Sequence, residues 1–138
     1  MIAVFKIGER TVGEAPISQD VQKVRERVAG KKIGSFRVYG INSLKTLDPP
    51  LDALVGDQVV DLLAKDDVRR VELVCLDHII DIDLARTGRL TALGEAGAWS
   101  PAGGGSMPTG RLIFDDGTGL DFKEPAKTKR VTFAVRRR

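Results

Sequence analysis

Apolar and polar positions recur along this chain with two different periods, and the period separates one helix from a series of strands. Val21, Val24 and Val28 repeat at the three- and four-residue spacing of one helix face. Ser18 stands where an N-cap residue would satisfy the first free N–H groups of that helix, and Gly30 stands where the helix would close. We therefore predict one amphipathic helix in this region.

The remaining apolar runs are short and have the alternation or the β-branched and aromatic content of strands. The predicted strands are residues 1–7, 31–39, 58–63, 69–76, 78–84, 89–93, 111–114, 119–122 and 131–135. Residues 115–118 (Asp-Asp-Gly-Thr) are typical of a tight hairpin turn, and residues 51–54 form at most one helical turn. Many short strands with one helix favour a β-sandwich or a barrel against which the helix packs.

Length and composition bound the class of protein. The 138 residues are most economically one domain, 1–138, and the stretch 94–110, rich in Gly, Ala, Ser and Pro, is predicted to be a flexible loop within it. A single cysteine, Cys75, excludes an internal disulfide, fits the cytoplasm and is expected in the core. His78 is expected to be an ordinary turn residue, and neither a metal nor another cofactor is predicted. No apolar run approaches the roughly 20 residues of a membrane span.

Positive charge is concentrated in one part of the chain. The net charge is +3, but residues 123–138 carry seven Lys and Arg side chains against Glu124 alone. Three interpretations are open: a contact for phosphate, a contact for an acidic protein surface, or a solvated basic segment that keeps the protein in solution.

Six short motifs follow one another along the chain. They are 20–25 (Asp-Val-Gln-Lys-Val-Arg), 29–33 (Ala-Gly-Lys-Lys-Ile), 54–59 (Leu-Val-Gly-Asp-Gln-Val), 84–90 (Leu-Ala-Arg-Thr-Gly-Arg-Leu), 114–122 (Phe-Asp-Asp-Gly-Thr-Gly-Leu-Asp-Phe) and 123–125 (Lys-Glu-Pro). In this order they resemble motifs of the amino-terminal domain of the formamidopyrimidine-DNA glycosylase and endonuclease VIII family. The resemblance implies a mainly β (α+β) fold, a two-layer antiparallel β-sandwich flanked by one or two helices, and it implies nucleic acid as the ligand.

The same alignment replaces the residues that carry the family's chemistry. The family's nucleophilic amino-terminal proline aligns with Pro16, whose nitrogen lies inside a peptide bond and cannot attack a sugar carbon. The glutamate that follows it aligns with Ile17, whose side chain has no ionisable proton to donate or accept. A lysine of the family's central hairpin aligns with Arg69, which keeps its positive charge but does not deprotonate. No catalytic residue is therefore predicted.

The means of extruding a base is also replaced. The family's side chains that fill the space left by an extruded base align with Arg86, Ala126 and Thr128, so no apolar wedge remains. No segment resembles the family's helix-two-turn-helix clamp or its zinc finger. We predict a catalytically inactive glycosylase-like domain that binds nucleic acid, with duplex DNA as the expected partner and DNA repair as the implied setting.

The predicted binding should be weak, largely independent of sequence and strongly dependent on salt, because phosphate contacts would dominate it. The predicted nucleic-acid-binding residues share a positive charge and an expected position on one basic face: Arg69, Arg86, Arg89, Lys127, Lys129, Arg130, Arg136 and Arg137. Trp99 could stack on a base or anchor a partner, or its loop could fold back over the edge of the sandwich.

Two alternatives from other functional classes stay open. The first is a protein-interaction or regulatory module that meets a basic partner through acidic positions. Those positions are Asp57, Asp61, Asp66, Asp67, Asp77, Asp81 and Asp83. The second is an active DNA glycosylase or AP lyase whose chemistry has moved to other residues.

Overall fold

A computed structural model describes residues 16–40, 42–103 and 105–138, so the predicted strand 1–7 lies outside the described residues. Within them the chain forms an α-helix and eight strands. In chain order these are α1 (Ser18–Val28), β1 (Ile33–Val38), β2 (Val59–Lys65), β3 (Arg70–Cys75), β4 (His78–Asp83), β5 (Arg89–Leu93), β6 (Gly110–Phe114), β7 (Gly119–Lys123) and β8 (Thr132–Arg137). Short 3₁₀ turns lie between some of them, at Leu51–Leu54, Asp66–Val68 and Pro101–Gly103.

The eight strands form two antiparallel sheets of four. One sheet has the strand order β1-β6-β7-β5 and the other has the order β2-β3-β4-β8. The helix α1 contacts β5 of the first sheet and β2 of the second, which are edge strands on the same side of the molecule. The predicted mainly β sandwich with a flanking helix is confirmed. No helix in the described ranges is long and apolar enough to cross a membrane.

The core lies between the two sheets and is built from the alternate, inward-facing positions of their strands. Phe133 of β8 lies between Phe36 of β1 and Phe122 of β7, with ring centroids 5.2 and 5.3 Å away in edge-to-face geometry. At Gly110 of β6 an added Cβ would lie 2.7 Å from the Phe133 ring. A glycine at that position therefore leaves room for the aromatic ring that joins the sheets.

The start of α1 differs from the prediction. The helix begins at Ser18, and its N-cap residue is Ile17. The apolar side chain of Ile17 accepts no hydrogen bond from the first turn. Instead the Ser18 N–H donates to Asp66 Oδ1 at 2.9 Å, from a turn 48 residues further along the chain. The prediction of a Ser18 cap is wrong because a distant carboxylate supplies the acceptor, and its negative charge also suits the positive end of the helix dipole.

Residues 97–99 of the glycine-rich segment fold back onto the first sheet. The carbonyl oxygen of Gly97 accepts a hydrogen bond from Arg111 Nη1 at 2.9 Å. The Trp99 N–H donates to the Tyr39 hydroxyl at 3.1 Å, and the two rings meet edge-on with centroids 6.2 Å apart. Of the two interpretations of Trp99, the contacts agree with a loop that covers the edge of the sandwich.

Candidate nucleic-acid interface

One end of the sandwich gathers turns from distant parts of the chain, and we call it the loop end. It consists of the start of α1 and of residues 66–69, 84–88 and 124–131. Strand register explains the gathering: the first residue of β3, Arg70, lies opposite the last residue of β4, Asp83, and Asp83 lies opposite the first residue of β8, Thr132. The segments next to these three residues therefore turn at the same end of the sheet.

Arg69 joins two turns of the loop end. Its backbone is left-handed, with φ 49°. Its Nη1 donates to the carbonyl oxygen of Ala85 at 2.9 Å and its Nη2 donates to that of Gly88 at 2.8 Å. The guanidinium therefore holds both ends of the turn 84–88, and this turn carries the exposed side chain of Arg86.

Arg89 joins β5 to the first turn of α1. Its Nε lies 2.8 Å from Asp20 Oδ2, and its Nη2 donates to Asp20 Oδ1 at 2.9 Å. Asp20 is only 8% exposed, so its carboxylate depends on this partner to offset the loss of water. Arg89 thus contributes charge to the loop end while its guanidinium stabilises the helix–sheet contact.

The loop between β7 and β8 is closed on Glu124. The Glu124 carboxylate, on a residue that is 7% exposed, accepts hydrogen bonds from the backbone N–H groups of Arg130 at 2.8 Å and Val131 at 3.0 Å. The Lys129 ammonium donates to the backbone carbonyl of the same glutamate. The side chains of Lys127 and Arg130 are exposed on this closed loop.

The loop end also holds two cations that the sequence-based site omitted. Lys123, the last residue of β7, is exposed and lies opposite Arg89 in the strand register. Arg70 is exposed, and its Nε lies 3.6 Å from Asp83 Oδ2. Both lie at strand ends next to predicted site residues. A prediction of which strands pair would have been needed to include them in the site.

Arg136 and Arg137 lie at the opposite end of the second sheet, which we call the far end. Arg137 is paired with His78 at the start of β4, whereas Thr132 is paired with Asp83 at its end. The intervening five steps of strand span roughly 17 Å. The structure places these two arginines apart from the other six predicted residues. Those six lie at or next to the loop end: Arg69, Arg86, Arg89, Lys127, Lys129 and Arg130.

The far-end arginines also meet carboxylates on the protein surface. Arg136 Nε donates to Asp81 Oδ2 at 2.7 Å and its Nη2 donates to Glu72 Oε2 at 3.1 Å. Arg137 Nη2 donates to Asp48 Oδ1 at 3.2 Å. The positive charge of these arginines is therefore compensated locally.

Several of the seven acidic positions of the protein-interaction hypothesis have partners within the molecule. Asp57 is buried, and Asp66 accepts the first N–H of α1. Asp61 pairs with Arg25 at 2.7 Å, and the hydrogen bond from that guanidinium lowers the pKa of the Asp61 carboxyl. These contacts leave less acidic surface for a basic partner than the sequence indicates.

His78 and Cys75 take structural positions at the far end. The Nδ1 atom of His78 lies 2.9 Å from Oδ2 of the buried Asp57, so the expectation of an ordinary turn residue is wrong. Cys75 is fully buried as expected, and burial, with a further contribution from Asp57, raises the pKa of its thiol to about 12. Among residues 16–40, 42–103 and 105–138, no three His, Cys, Asp or Glu side chains come together as a metal site requires.

Comparison with known proteins identifies the fold. No protein family and no curated protein matches the chain. A solved complex between the LlFpg protein, a THF-DNA and an inhibitor matches with a TM-score of 0.70 and 13% identity, over 91% of this chain and 43% of that chain. Lactococcus lactis Fpg (MutM) with a FAPY-dG containing DNA matches with a TM-score of 0.69 and 12% identity, over 91% of this chain and 43% of that chain.

A third match is the Lactococcus lactis Fpg complex with an abasic site containing DNA, with a TM-score of 0.69 and 11% identity, over 88% of this chain and 43% of that chain. This chain therefore spans less than half the length of the solved proteins that it matches. At this level of identity the match concerns architecture alone. The fold implied by the sequence motifs is confirmed: the chain has the two-sheet sandwich fold found in the Fpg structures.

Proposed function

We propose that this chain is a DNA-binding domain of the glycosylase fold that binds the phosphate backbone through the loop end and has lost glycosylase chemistry. The observation that carries the proposal is the group of cations on turns that internal hydrogen bonds hold in place. Side chains on fixed turns lose less conformational entropy on binding than side chains on mobile ones. The solved proteins of the same fold are complexes with DNA.

The proposal assigns the direct phosphate contacts to exposed side chains. These are Arg86, Lys127 and Arg130, and Lys123 extends the same end of the molecule. Arg89 and Lys129 add charge, and each donates to a protein oxygen. Because such contacts read the phosphate backbone, binding should fall with salt and should depend little on sequence.

The proposed loss of chemistry is supported at the positions where the family carries it. Pro16 follows Ala15, so its nitrogen is an amide. Ile17, at the position of the family's glutamate, is 0% exposed and belongs to the core beside α1. A core isoleucine offers neither a proton nor an open surface to a substrate. The proposed setting is DNA repair. The proposed location is the cytoplasm, which a single buried cysteine fits.

The binding experiment compares neutral substitutions at the two ends. Fluorescence anisotropy with labelled duplex and single-stranded oligonucleotides is measured over a salt series for the wild type, Lys127→Gln/Arg130→Gln and Arg136→Gln/Arg137→Gln. The loop-end variant should lose about tenfold in affinity at low salt, and its log–log salt slope should fall by about 1.8, which is the loss of two phosphate contacts. The far-end variant, with the same charge change, should stay within about twofold of the wild type.

Two outcomes would contradict this function. Absence of duplex and single-strand binding at low salt would remove it, and an equal loss for both variants would remove the loop end as its site. Borohydride trapping on abasic-site DNA tests the loss of chemistry separately. We expect no covalent adduct, and an adduct would favour the active glycosylase or lyase alternative.

A further inference from the structure

We infer that Arg69 is a positioning residue, whose guanidinium clamps the turn 84–88 and so fixes the place where Arg86 meets a phosphate. This inference rests on the proposed function and deepens it. It gives Arg69 a different role from the direct phosphate contact predicted from sequence. The two roles differ in where the N–H donors of the side chain are directed.

The donors of Arg69 are directed at the protein. Nη1 and Nη2 donate to two different carbonyl oxygens, those of Ala85 and Gly88, at 2.9 and 2.8 Å. A planar guanidinium presents several N–H donors in a rigid fork, so one side chain can hold two acceptors at a fixed separation. A lysine ammonium is a compact point charge on a flexible stem and does not present that fork. The site therefore requires the shape of arginine as well as its charge.

The turn that Arg69 holds is tight and strained. Ala85 has a left-handed backbone, with φ 54°, which is unfavourable for a residue with a Cβ. The Gly88 N–H donates to the carbonyl oxygen of Leu84 at 2.9 Å, which closes the turn. With that bond made inside the turn, the carbonyls of Ala85 and Gly88 receive their donors from outside it, from Arg69.

The clamp fixes the position of the Arg86 backbone. Arg86 lies between the two clamped carbonyls, so its Cα cannot move far while both bonds are made. If the clamp opens, Arg86 keeps its charge but loses its fixed location. Affinity would then fall although the number of phosphate contacts available to the protein is unchanged.

The decisive variant is Arg69→Lys, which keeps the charge and removes the fork. Amide hydrogen exchange of residues 85–88 is measured in the free protein, and DNA affinity is measured over a salt series. Exchange in the turn should speed up about tenfold, and affinity at low salt should fall about fivefold, as expected for the loss of a hydrogen bond. The salt slope should remain that of the wild type, whereas Arg86→Gln should reduce it by about 0.9.

A second pair of variants keeps the test available if Arg69→Lys does not fold. Ala85→Gly removes the cost of the left-handed backbone. Arg69→Lys/Ala85→Gly is therefore compared with Ala85→Gly alone, with the same two measurements and the same expected differences. Any difference within this pair reports the fork of Arg69.

Unchanged exchange at residues 85–88 in Arg69→Lys would overturn the inference. So would an Arg69→Gln variant that lowers the salt slope as much as Arg86→Gln while exchange in the turn stays slow, because that result identifies Arg69 as a phosphate contact. If the wild type binds no nucleic acid, the proposed function fails. The exchange measurement would still decide whether Arg69 clamps the turn.

Discussion

The loop end and the far end of the sandwich both carry several arginines, but the groups that meet those arginines differ. At the loop end, Asp20 and Glu124 are 8% and 7% exposed, and the Glu124 carboxylate accepts hydrogen bonds from backbone N–H groups. At the far end, Arg136 pairs with Asp81, whose side chain is 40% exposed. Asp20 and Glu124 thus bind groups inside the loop end, whereas Asp81 neutralises a cation on the surface near the far end.

This difference shows why a count of charges along the chain does not locate a binding surface. Exposed ion pairs such as those of Arg136 contribute little to stability, about 0–1 kcal/mol, but they cancel the field of the arginine. At the loop end Lys127 and Arg130 project from a loop whose own carboxylate is turned inward. We therefore expect the loop end to attract phosphate more strongly than the far end.

The largest effect should come from filling the space at Gly88, where the turn 84–88 meets the β7–β8 loop. An added Cβ would lie 2.4 Å from the Leu84 carbonyl oxygen and 2.6 Å from Val131 Cγ2. Because one of these neighbours is backbone, Gly88→Ala should lower the free energy of unfolding by about 3 kcal/mol in urea denaturation. Gly94→Ala is the matched control, since an added Cβ there meets nothing within 4 Å, and its effect should stay within about 0.5 kcal/mol. Equal effects of the two substitutions would show that the loop-end turns are not tightly packed.

The next effect should come from Glu124, the carboxylate that closes the β7–β8 loop. Glu124→Gln can keep an oxygen at the Oε1 position, which accepts from both Arg130 and Val131, but it replaces Oε2 by an amide nitrogen that faces the Arg130 N–H and has no acceptor there. We expect a loss of about 2 kcal/mol, because a buried donor left without its acceptor costs that much. Urea denaturation measures it. The matched control is Glu95→Gln, at an exposed position, which should change stability by less than about 0.5 kcal/mol.

If Glu124→Gln is as neutral as Glu95→Gln, the β7–β8 loop does not depend on its internal carboxylate. The contrast between an internally shaped end and a surface-neutralised end would then lose one of its two supports. The other support, the pairing of Asp20 with Arg89, would have to carry it alone.

Local sequence signals predicted much of the fold. The helix face of Val21, Val24 and Val28 is buried, and residues 115–118 form the turn between β6 and β7, because helical period and turn chemistry are properties of neighbouring residues. The order of the six motifs supplied the two-layer arrangement, which periodicity alone had left open between a sandwich and a barrel. Fold was therefore accessible from pattern and resemblance together.

The details of the candidate site depend on register and were less accessible. Asp66 accepts the Ser18 N–H across 48 residues, and Arg69 meets Ala85 across 16 residues, so neither contact has a local signal. Arg136 was grouped with Arg130 because the two are close in sequence. Arg130 precedes strand β8, whereas Arg136 is near the last residue of β8 and therefore lies at the other end of the sheet. An extended strand separates neighbours in sequence by a distance that composition does not record.

The smallest effect concerns Asp116, in the β6–β7 turn of the first sheet. This turn lies on the far-end side of the molecule, because the opposite end of β7, Lys123, lies at the loop end. The Thr118 hydroxyl and backbone N–H donate to Asp116 Oδ1 at 2.6 and 3.0 Å, and Lys31 Nζ lies 3.1 Å from Oδ2. The hydrogen bonds of Thr118, followed by Lys31, lower the pKa of Asp116 to about 2. Because this value lies below the ordinary aspartate pKa of about 3.9, the stabilisation is present above about pH 4 and is lost as the pH falls towards 2.

Asp116→Asn should therefore make the fall of Tm between pH 4 and pH 2 slightly shallower than in the wild type, as thermal melts over that range would record. Thr118→Val removes the largest cause of the shift and should raise the Asp116 pKa measured by NMR. Neither change should lower DNA affinity, because both lie on the far-end side of the molecule. A loss of affinity as large as that of Lys127→Gln/Arg130→Gln would mean that the interface reaches this turn, and the loop end would then be only part of it.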